Sequence, residues 1–157
     1  MTDYDIKVKG ECEITLYGTD DDTIVVPSTV KFDTDRRKAD IEIAGLEKVK
    51  IGIPADIAEK IEIEMGDSSL SVSGLRFEQL EIDSKGSIVV DVEDVEGSIE
   101  INMVGGEAVL RVPEGFGFKA ENRGRNTVLE NELVSSESAG NRVELNGKDS
   151  VLKIVSK

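Results

Sequence analysis

Short segments in which hydrophobic and polar residues alternate recur along the whole chain. Examples are Ile61-Glu62-Ile63, Leu80-Glu81-Ile82 and Ile99-Glu100-Ile101. A period of two is typical of half-buried β-strands, because successive side chains of a strand point to opposite faces. No stretch keeps the 3.6-residue period of a helix, and residues 55–60 have room for one helical turn at most. The pattern therefore predicts an all-β protein.

The predicted strands repeat at an interval of 19 residues. The interval relates one set of apolar positions (Ile61, Leu80, Ile99, Phe118), a second set (Ile63, Ile82, Ile101, Ala120) and the turn glycines (Gly86, Gly105, Gly124). Such a unit holds two short strands and two turns, which is one coil of a parallel β-solenoid. In a solenoid each buried side chain lies above its equivalent in the next coil. The interval therefore favours a parallel β-solenoid with coils of about 19 residues.

An antiparallel β-sandwich is the alternative fold. It requires tight hairpins, for which Asn-Gly or Asp-Gly is the strongest local signal, and Asn146-Gly147 is the single such pair. Three prolines follow β-branched residues (Val26-Pro27, Ile53-Pro54, Val112-Pro113), and they predict strand ends because proline lacks the N–H of the ladder. We interpret residues 1–157 as one domain, with residues 1–45 as N-terminal cap strands and residues 46–157 as repeating coils.

Two segments of the chain resemble the putative-adhesin family of bacterial and archaeal β-solenoid domains. They are Ile53-Pro54-Ala55-Asp56, which leads into Ile61-Glu62-Ile63 and Gly66-Asp67-Ser68, and Val112-Pro113-Glu114-Gly115, which precedes Phe118. The resemblance covers about residues 40–132. It implies a right-handed solenoid with an adhesion or interaction role and brings no catalytic residues. A weaker resemblance, in repeat length, is to the bactofilin type of β-helical cytoskeletal protein, which polymerises end to end.

The chain is strongly acidic. It carries 33 acidic and 19 basic residues, for a net charge of −14. Nucleic acids and anionic membranes attract basic surfaces, so neither is expected as a partner. No apolar run reaches the about 20 residues of a membrane-spanning helix. Met1-Thr2-Asp3-Tyr4-Asp5 has no secretory-signal character, which predicts a cytoplasmic location for the chain as given. A cell-surface location is predicted if the chain is a piece of an anchored protein.

Residue types that serve catalysis are scarce. The chain has no histidine and no tryptophan, and it has no phosphate-binding loop or cysteine pair. A carbohydrate-active solenoid enzyme stays an alternative because paired carboxylates are plentiful, although aromatic residues that grip sugars are few. The single cysteine, Cys12, alternates with Ile14 and Leu16 and is expected to be a buried, inert thiol. We therefore expect no enzymatic activity, no small-molecule substrate and no bound cofactor.

Acidic residues at the repeat interval are the candidate binding residues. If the register holds, Glu62, Glu81 and Glu100 form one outward column, and a second column beside it holds Glu64, Asp83, Asn102 and Glu121. Like charges opposite each other destabilise a sheet, so these columns carry a cost. Either they bind Ca²⁺ or a basic partner, or they are solvated carboxylates screened by salt. The candidate Ca²⁺ ligands are Glu62, Glu64, Glu81, Asp83 and Glu100.

One further acidic run and two basic clusters have simpler interpretations. Asp20-Asp21-Asp22 lacks the spaced ligands of an EF-hand and is expected to be a solvated hairpin tip. The clusters Arg36-Arg37-Lys38 and Arg123-Gly124-Arg125 are expected to serve solubility. The function that the sequence favours is a non-enzymatic scaffold or protein-interaction module. A self-assembling structural protein that stacks end to end is the first alternative.

Overall fold

The computed structural model describes residues 1–133 and 140–157 and contains, in these ranges, strands and turns without a helix. No described segment forms a helix with the length and apolar character that crossing a membrane requires. The strands are β1 (Asp3–Lys9), β2 (Glu13–Thr19), β3 (Lys31–Asp35), β4 (Lys38–Ala44), β5 (Lys48–Pro54), β6 (Ala58–Met65), β7 (Ser69–Ser84), β8 (Ile88–Val104), β9 (Glu107–Val112), β10 (Phe118–Asn122), β11 (Val128–Asn131), β12 (Asn141–Lys148) and β13 (Val151–Ser156). The all-β prediction is confirmed.

The strands form one sheet in which almost every pair is parallel. Of the twelve strand pairs among the described residues, eleven are parallel, and the β3–β4 pair is antiparallel. This is not the pairing that an antiparallel sandwich requires. The pairs form two series, which we call ladder I and ladder II. Ladder I runs β3-β4-β1-β6-β7-β8-β12-β10, and ladder II runs β5-β2-β7-β8-β9-β13-β11. The long strands β7 and β8 bend and contribute to both ladders.

The alternating apolar residues of the two ladders form a single hydrophobic cluster. In ladder I, Ile61, Ile63, Leu80 and Ile82 are fully buried, and in ladder II Val90 is fully buried as well. Burying an aliphatic side chain of this size stabilises the fold by about 1.5–3 kcal/mol. The intervening polar residues stay on the outer surface, so the period of two in the sequence separates core from surface.

The 19-residue interval matches the strand register in the middle of the chain. Ile61 is paired with Leu80, and Leu80 with Ile99. Phe118 does not continue this series. Ile99 is paired with Val143, and Phe118 is paired with Asn141, because β12 lies between β8 and β10. The prediction for Phe118 is wrong for that reason: the next strand in space comes from the C-terminus and not from the next 19 residues.

One strand of each ladder and the turn between them make up what we call a layer. In spatial order, the seven layers are formed by residues 38–54, 3–19, 58–73, 79–92, 98–112, 141–156 and 118–131. The first and last segments of the chain therefore both occupy the layer that is second from an end. The two outermost layers are formed by residues 38–54 and 118–131, which lie away from the ends of the sequence.

Prolines mark the two places where the chain skips a layer. Strand β5 ends at Pro54, and the chain then passes the N-terminal layer before β6 begins at Ala58. Strand β9 ends at Val112, directly before Pro113, and the chain then passes the C-terminal layer before β10 begins at Phe118. Where no layer is skipped, β7 and β8 run on without a break. A proline cannot donate to the ladder, which fits a strand end at both positions.

The segment that we expect to be an N-terminal cap is divided between two places. Strands β1 and β2 lie inside the ladders, in the second layer, where each has a parallel neighbour on both sides. Strand β3 lies at the end and pairs with the outer edge of β4. Val25 exchanges two backbone hydrogen bonds, of 2.8 and 2.9 Å, with Gly52 of β5. Residues 20–37 therefore cover the edge of the outermost layer.

Candidate functional site

The outward side of ladder I carries a continuous column of carboxylates. Residues that are directly opposite each other in neighbouring strands contribute one acid each, in the spatial order Asp33, Asp40, Asp5, Glu62, Glu81, Glu100, Glu144 and Glu121. We call these eight residues the acidic column. At the usual strand separation of about 4.8 Å, the column is about 34 Å long. It crosses every strand of ladder I.

The alternation of the strands directs these carboxylates outward. In β6, the neighbours Ile61 and Ile63 on either side of Glu62 are fully buried, and in β7 Leu80 and Ile82 bury themselves on either side of Glu81. The acidic residues of the column are exposed in β3 and β4. They are half-buried in the other six strands of ladder I, which are β1, β6, β7, β8, β12 and β10. The packing of these isoleucine and leucine side chains fixes how neighbouring strands align. It therefore also fixes which carboxylates lie opposite each other on the outer surface.

Basic side chains neutralise the two ends of the column. Near β4, the Lys38 ammonium lies 3.6 Å from Asp5 and 3.7 Å from Asp40. Near β10, Arg142 lies 3.0 Å from Glu121, and Arg123 lies 2.9 Å from Glu144 and 3.4 Å from Glu121. The cationic partners of the column are therefore concentrated at its ends.

The centre of the column is served mainly by side-chain amides. Asn102 donates hydrogen bonds of 2.8 Å to Glu81 and 2.9 Å to Asp83. Glu100 accepts hydrogen bonds from the amides of Gln79 and Asn146. Lys60, which lies 3.3 Å from Glu81, is the one cation within 4 Å of a carboxylate of the column in this central part of the described chain. Amides orient carboxylates without neutralising them, so the centre keeps its negative charge.

Among the central carboxylates of the acidic column, Glu62 has the fewest hydrogen-bonding partners. Its carboxylate has no hydrogen-bond donor among the described residues. Burial raises its pKa, and the charges of Glu81 and Asp5 raise it further. Burial likewise raises the pKa of Glu100, with Glu81 and Glu144 adding to the shift. Both directions have the same origin, since partial burial and carboxylates on neighbouring strands disfavour the ionised form.

At the β10 end of the column, the pKa shift has the opposite direction. Partial burial alone would raise the pKa of Glu121, but the guanidinium groups of Arg123 and Arg142 outweigh it and hold the pKa below its ordinary value. The hydrogen bond and the charge of Glu81 raise the pKa of Lys60. Burial and repulsion between carboxylates therefore dominate at Glu62 and Glu100, and attraction to arginine dominates at Glu121.

Three of the five predicted Ca²⁺ ligands converge. Glu62, Glu81 and Asp83 each offer one oxygen, and these oxygens lie within 4.8 Å of one another. The other two candidates are engaged elsewhere: Glu64 pairs with Lys85 at 3.1 Å, and Glu100 is held by two amides. Within the group of three, Lys60 and Asn102 already contact Glu81, and Asn102 also contacts Asp83.

The 19-residue interval in the sequence predicts only the middle of the acidic column. Glu62, Glu81 and Glu100 are neighbours as expected, but Glu121 belongs to this column and not to the second column beside Asp83. Asp33, Asp40, Asp5 and Glu144 are missed, because their alignment depends on the insertion of the terminal segments. The local signal for Asp5, Asp40 and Glu144 is only an acid between two core residues, as in Ala39 and Ile41 around Asp40. Asp33 lacks even this signal, because every residue of β3 is exposed.

Asp20, Asp21 and Asp22 lie away from the column. They form an exposed turn after β2, in which Thr19 Oγ1 donates to the carbonyl of Asp21 at 3.0 Å and the Thr23 amide donates to the Asp21 carboxylate at 3.0 Å. Cys12 is buried, as expected, and burial, followed by the charge of Glu13, raises the pKa of its thiol. Neither feature contacts the column.

No protein-family model and no curated protein matches the chain. A solved structure, described as a putative cell adhesion protein from Clostridium sporogenes, matches with a TM-score of 0.62. The match has 14% sequence identity and covers 99% of this chain and 93% of that chain. The two proteins are therefore similar in fold over nearly their whole lengths.

Proposed function

We propose that this chain is a non-enzymatic, adhesin-like β-solenoid domain that binds a basic segment of a partner protein along the acidic column. The observation that carries the proposal is the continuity of the column, with one carboxylate on each of eight neighbouring strands. Aligned like charges destabilise a sheet. A partner that brings lysine or arginine side chains relieves that repulsion and gains charge-assisted hydrogen bonds.

The distribution of partners within the column also supports this function. The ends carry Lys38, Arg123 and Arg142, while the centre around Glu81 and Glu100 is oriented mostly by amides. Amide donors hold the carboxylates in place and leave their charge available. Complementary charge mainly increases the rate and specificity of association, so we expect binding that weakens with salt.

The similarity to a protein described as a putative cell adhesion protein supports the adhesin-like part of the proposal. End-to-end stacking is less well supported, because β3 and Val25 cover the outermost layer at one end. A carbohydrate-active enzyme is also less well supported. The chain has only four phenylalanines, two tyrosines and no tryptophan, and Phe116 and Phe118 stack on each other with ring centroids 5.6 Å apart.

The test measures binding of a fluorescent oligolysine peptide by anisotropy, at low and at physiological salt. The variant Glu62→Gln/Glu81→Gln/Glu100→Gln removes three charges from the centre of the column. The control Asp91→Asn/Glu107→Gln/Glu130→Gln removes three charges from ladder II, where Asp91 and Glu107 already pair with Arg111 and Lys153. The two variants have the same net charge, so they separate a specific surface from a general attraction.

We expect the column variant to bind at least about tenfold more weakly than the control, which corresponds to the loss of about 1.4 kcal/mol. Equal affinities for the two variants would mean that the peptide responds only to net charge, and the proposed site would be rejected. Circular dichroism on both variants checks that they keep the strand content of the parent.

A further inference from the structure

The N-terminal segment fills a slot between two layers that come later in the sequence. Strand β1 pairs with β4 on one side and β6 on the other, and β2 pairs with β5 and β7. Residues 55–57 join β5 on one side of the slot to β6 on the other side, and they contribute no strand to the slot. The segment thus has a paired strand along each of its two edges, and both neighbours come from later parts of the chain.

The contacts of this segment are extensive. Tyr4, Ile6, Ile14 and Leu16 are each no more than 1% exposed. An empty slot would leave the apolar faces and the backbone groups of the flanking strands unpaired, at a cost of several kcal/mol. The slot must therefore be occupied by this segment or by one of the same sequence and pattern.

The connection that holds the segment in its own slot is short and negatively charged. Strand β2 ends at Thr19, and Val25 is already fixed to Gly52, which leaves residues 20–24 as the hinge. Asp20, Asp21 and Asp22 are consecutive and exposed in that turn. Like charges repel in a compact turn and separate when the chain extends. Thr19 Oγ1 and the Thr23 amide donate hydrogen bonds within the closed turn, and opening the hinge exchanges these bonds for water. A hinge that opens permits the exchange of segments between copies.

We infer that the segment of residues 3–19 is exchanged between two copies of this chain, so that each copy fills the slot of the other. The exchanged dimer keeps every contact of the slot, and the hinge changes from a turn to an extended connection. High protein concentration during folding favours it. Low salt strengthens the repulsion within the hinge, which favours opening, and also the repulsion between two chains of charge −14, so the comparison of hinge variants at one salt concentration isolates the hinge. This inference rests on the topology and the hinge and does not depend on the proposed binding function.

A designed disulfide distinguishes exchange from other association. The Cys12 amide donates to Ser68 Oγ at 3.1 Å, and the next residues, Glu13 and Ser69, are paired neighbours. The positions 12 and 68 therefore suit a disulfide in the variant Ser68→Cys. On refolding with oxidised glutathione, the two thiols form one disulfide and the glutathione is reduced. The bond lies within one chain in the monomer and joins two chains in the exchanged dimer.

We expect covalent dimers on a non-reducing gel, in a fraction that rises with the protein concentration during refolding. Ser71→Cys, which places a thiol at an exposed position of β7, measures random cross-linking. Asp20→Ser/Asp22→Ser in the Ser68→Cys background removes hinge repulsion, and we expect it to lower the dimer fraction by about twofold to fivefold at low salt. Covalent monomer alone at every concentration would overturn the inference.

Wild-type protein provides a second measurement that does not depend on the folding of the cysteine variant. A mixture of ¹⁴N- and ¹⁵N-labelled chains is refolded together at high concentration and examined by native mass spectrometry. We expect mixed dimers that persist on dilution, because separation requires the buried segment to leave its slot. A wild-type protein that is monomeric throughout, or a dimer that separates at once on dilution, would overturn the inference.

Discussion

The side-chain oxygen of Asn141 accepts a hydrogen bond of 3.0 Å from the backbone N–H of Gly97. The side-chain nitrogen of Asn141 donates to the carbonyl of Gly117 at 2.9 Å. One side chain thus connects the layer before the C-terminal segment with the layer after it, at the point where that segment enters the stack.

We expect Asn141→Ala to destabilise the protein by about 1–3 kcal/mol, because two backbone groups lose their partner. Urea unfolding followed by circular dichroism measures the change. Ser71→Ala, an exposed position without such a role, should leave the midpoint within error. An Asn141→Ala midpoint equal to that of the control would show that water replaces the side chain without cost.

Gly147 lies in β12 opposite Met103 of β8, with a φ of +106°. A Cβ at this position would collide with the Met103 carbonyl oxygen. We therefore expect Gly147→Ala to destabilise by more than about 2 kcal/mol, through strain at a positive φ together with the displaced strand.

The matched control for this substitution is Gly140→Ala, where nothing lies within 4 Å of an added Cβ. Thermal unfolding of both variants provides the measurement. Equal melting temperatures for the two variants would contradict the close approach of β12 and β8 at Gly147.

The raised pKa values of Glu62 and Glu100 predict a pH dependence of stability. Burial is the first cause of both shifts, and neighbouring carboxylates add to it. A carboxyl whose pKa is higher in the folded state than in the unfolded state takes up protons on folding. Its stabilising contribution is complete below the ordinary glutamate pKa of about 4.3 and is lost as the pH rises through the raised value.

We therefore expect Glu62→Gln/Glu100→Gln to gain stability relative to the parent as the pH rises from about 4.5 to 7. Urea unfolding at several pH values gives this difference. Glu59→Gln/Glu78→Gln, at exposed positions outside the column, is the control for charge number. A difference that does not vary with pH would show that the central carboxylates are as well solvated as exposed ones.

The group of Glu62, Glu81 and Asp83 predicts a weak response to Ca²⁺. Lys60 and Asn102 already occupy lone pairs of Glu81 and Asp83. Ca²⁺ prefers six to eight oxygen ligands, and an open site of three carboxylates with competing partners falls short of that. At about 1 mM Ca²⁺ we expect a melting temperature within about 1 °C of that measured with Mg²⁺.

A rise of several degrees with Ca²⁺ alone, lost in Glu62→Gln, would establish a calcium site and contradict this expectation. Glu64→Gln is the matched control, because Glu64 lies on the same strand and pairs with Lys85 outside the group. Differential scanning fluorimetry at constant ionic strength separates specific binding from screening.

The sequence predicts the middle of the fold well because local pattern and spatial neighbours coincide there. Ile61, Leu80 and Ile99 follow each other at 19 residues and are paired in space. Their outward neighbours Glu62, Glu81 and Glu100 follow automatically, since a strand alternates its side chains. This part of the acidic column could be predicted from residue spacing alone.

The ends of the fold could not be predicted in the same way. Asp5 and Glu144 join the column because segments from the two chain termini enter between layers that are nearly consecutive in sequence. Pairing of this kind leaves no periodic interval between partners. The breaks at Pro54 and Pro113 are the local signal that was present, but a proline reports only that a strand ends and not which strand lies beside it.

The positions of the chain termini have a mechanical consequence. Residue 3 begins a strand in the second layer, and residue 156 ends a strand in the second-last layer. These two layers are about 19 Å apart at the usual strand spacing. A pulling force applied through both termini would act first on two strands that are hydrogen-bonded along both edges. Each of these strands can leave only by breaking hydrogen bonds to two neighbours, whereas an edge strand breaks those to one. A chain tethered at both ends would therefore meet tension first at strands that are paired on both sides and not at the edge strands of the sheet.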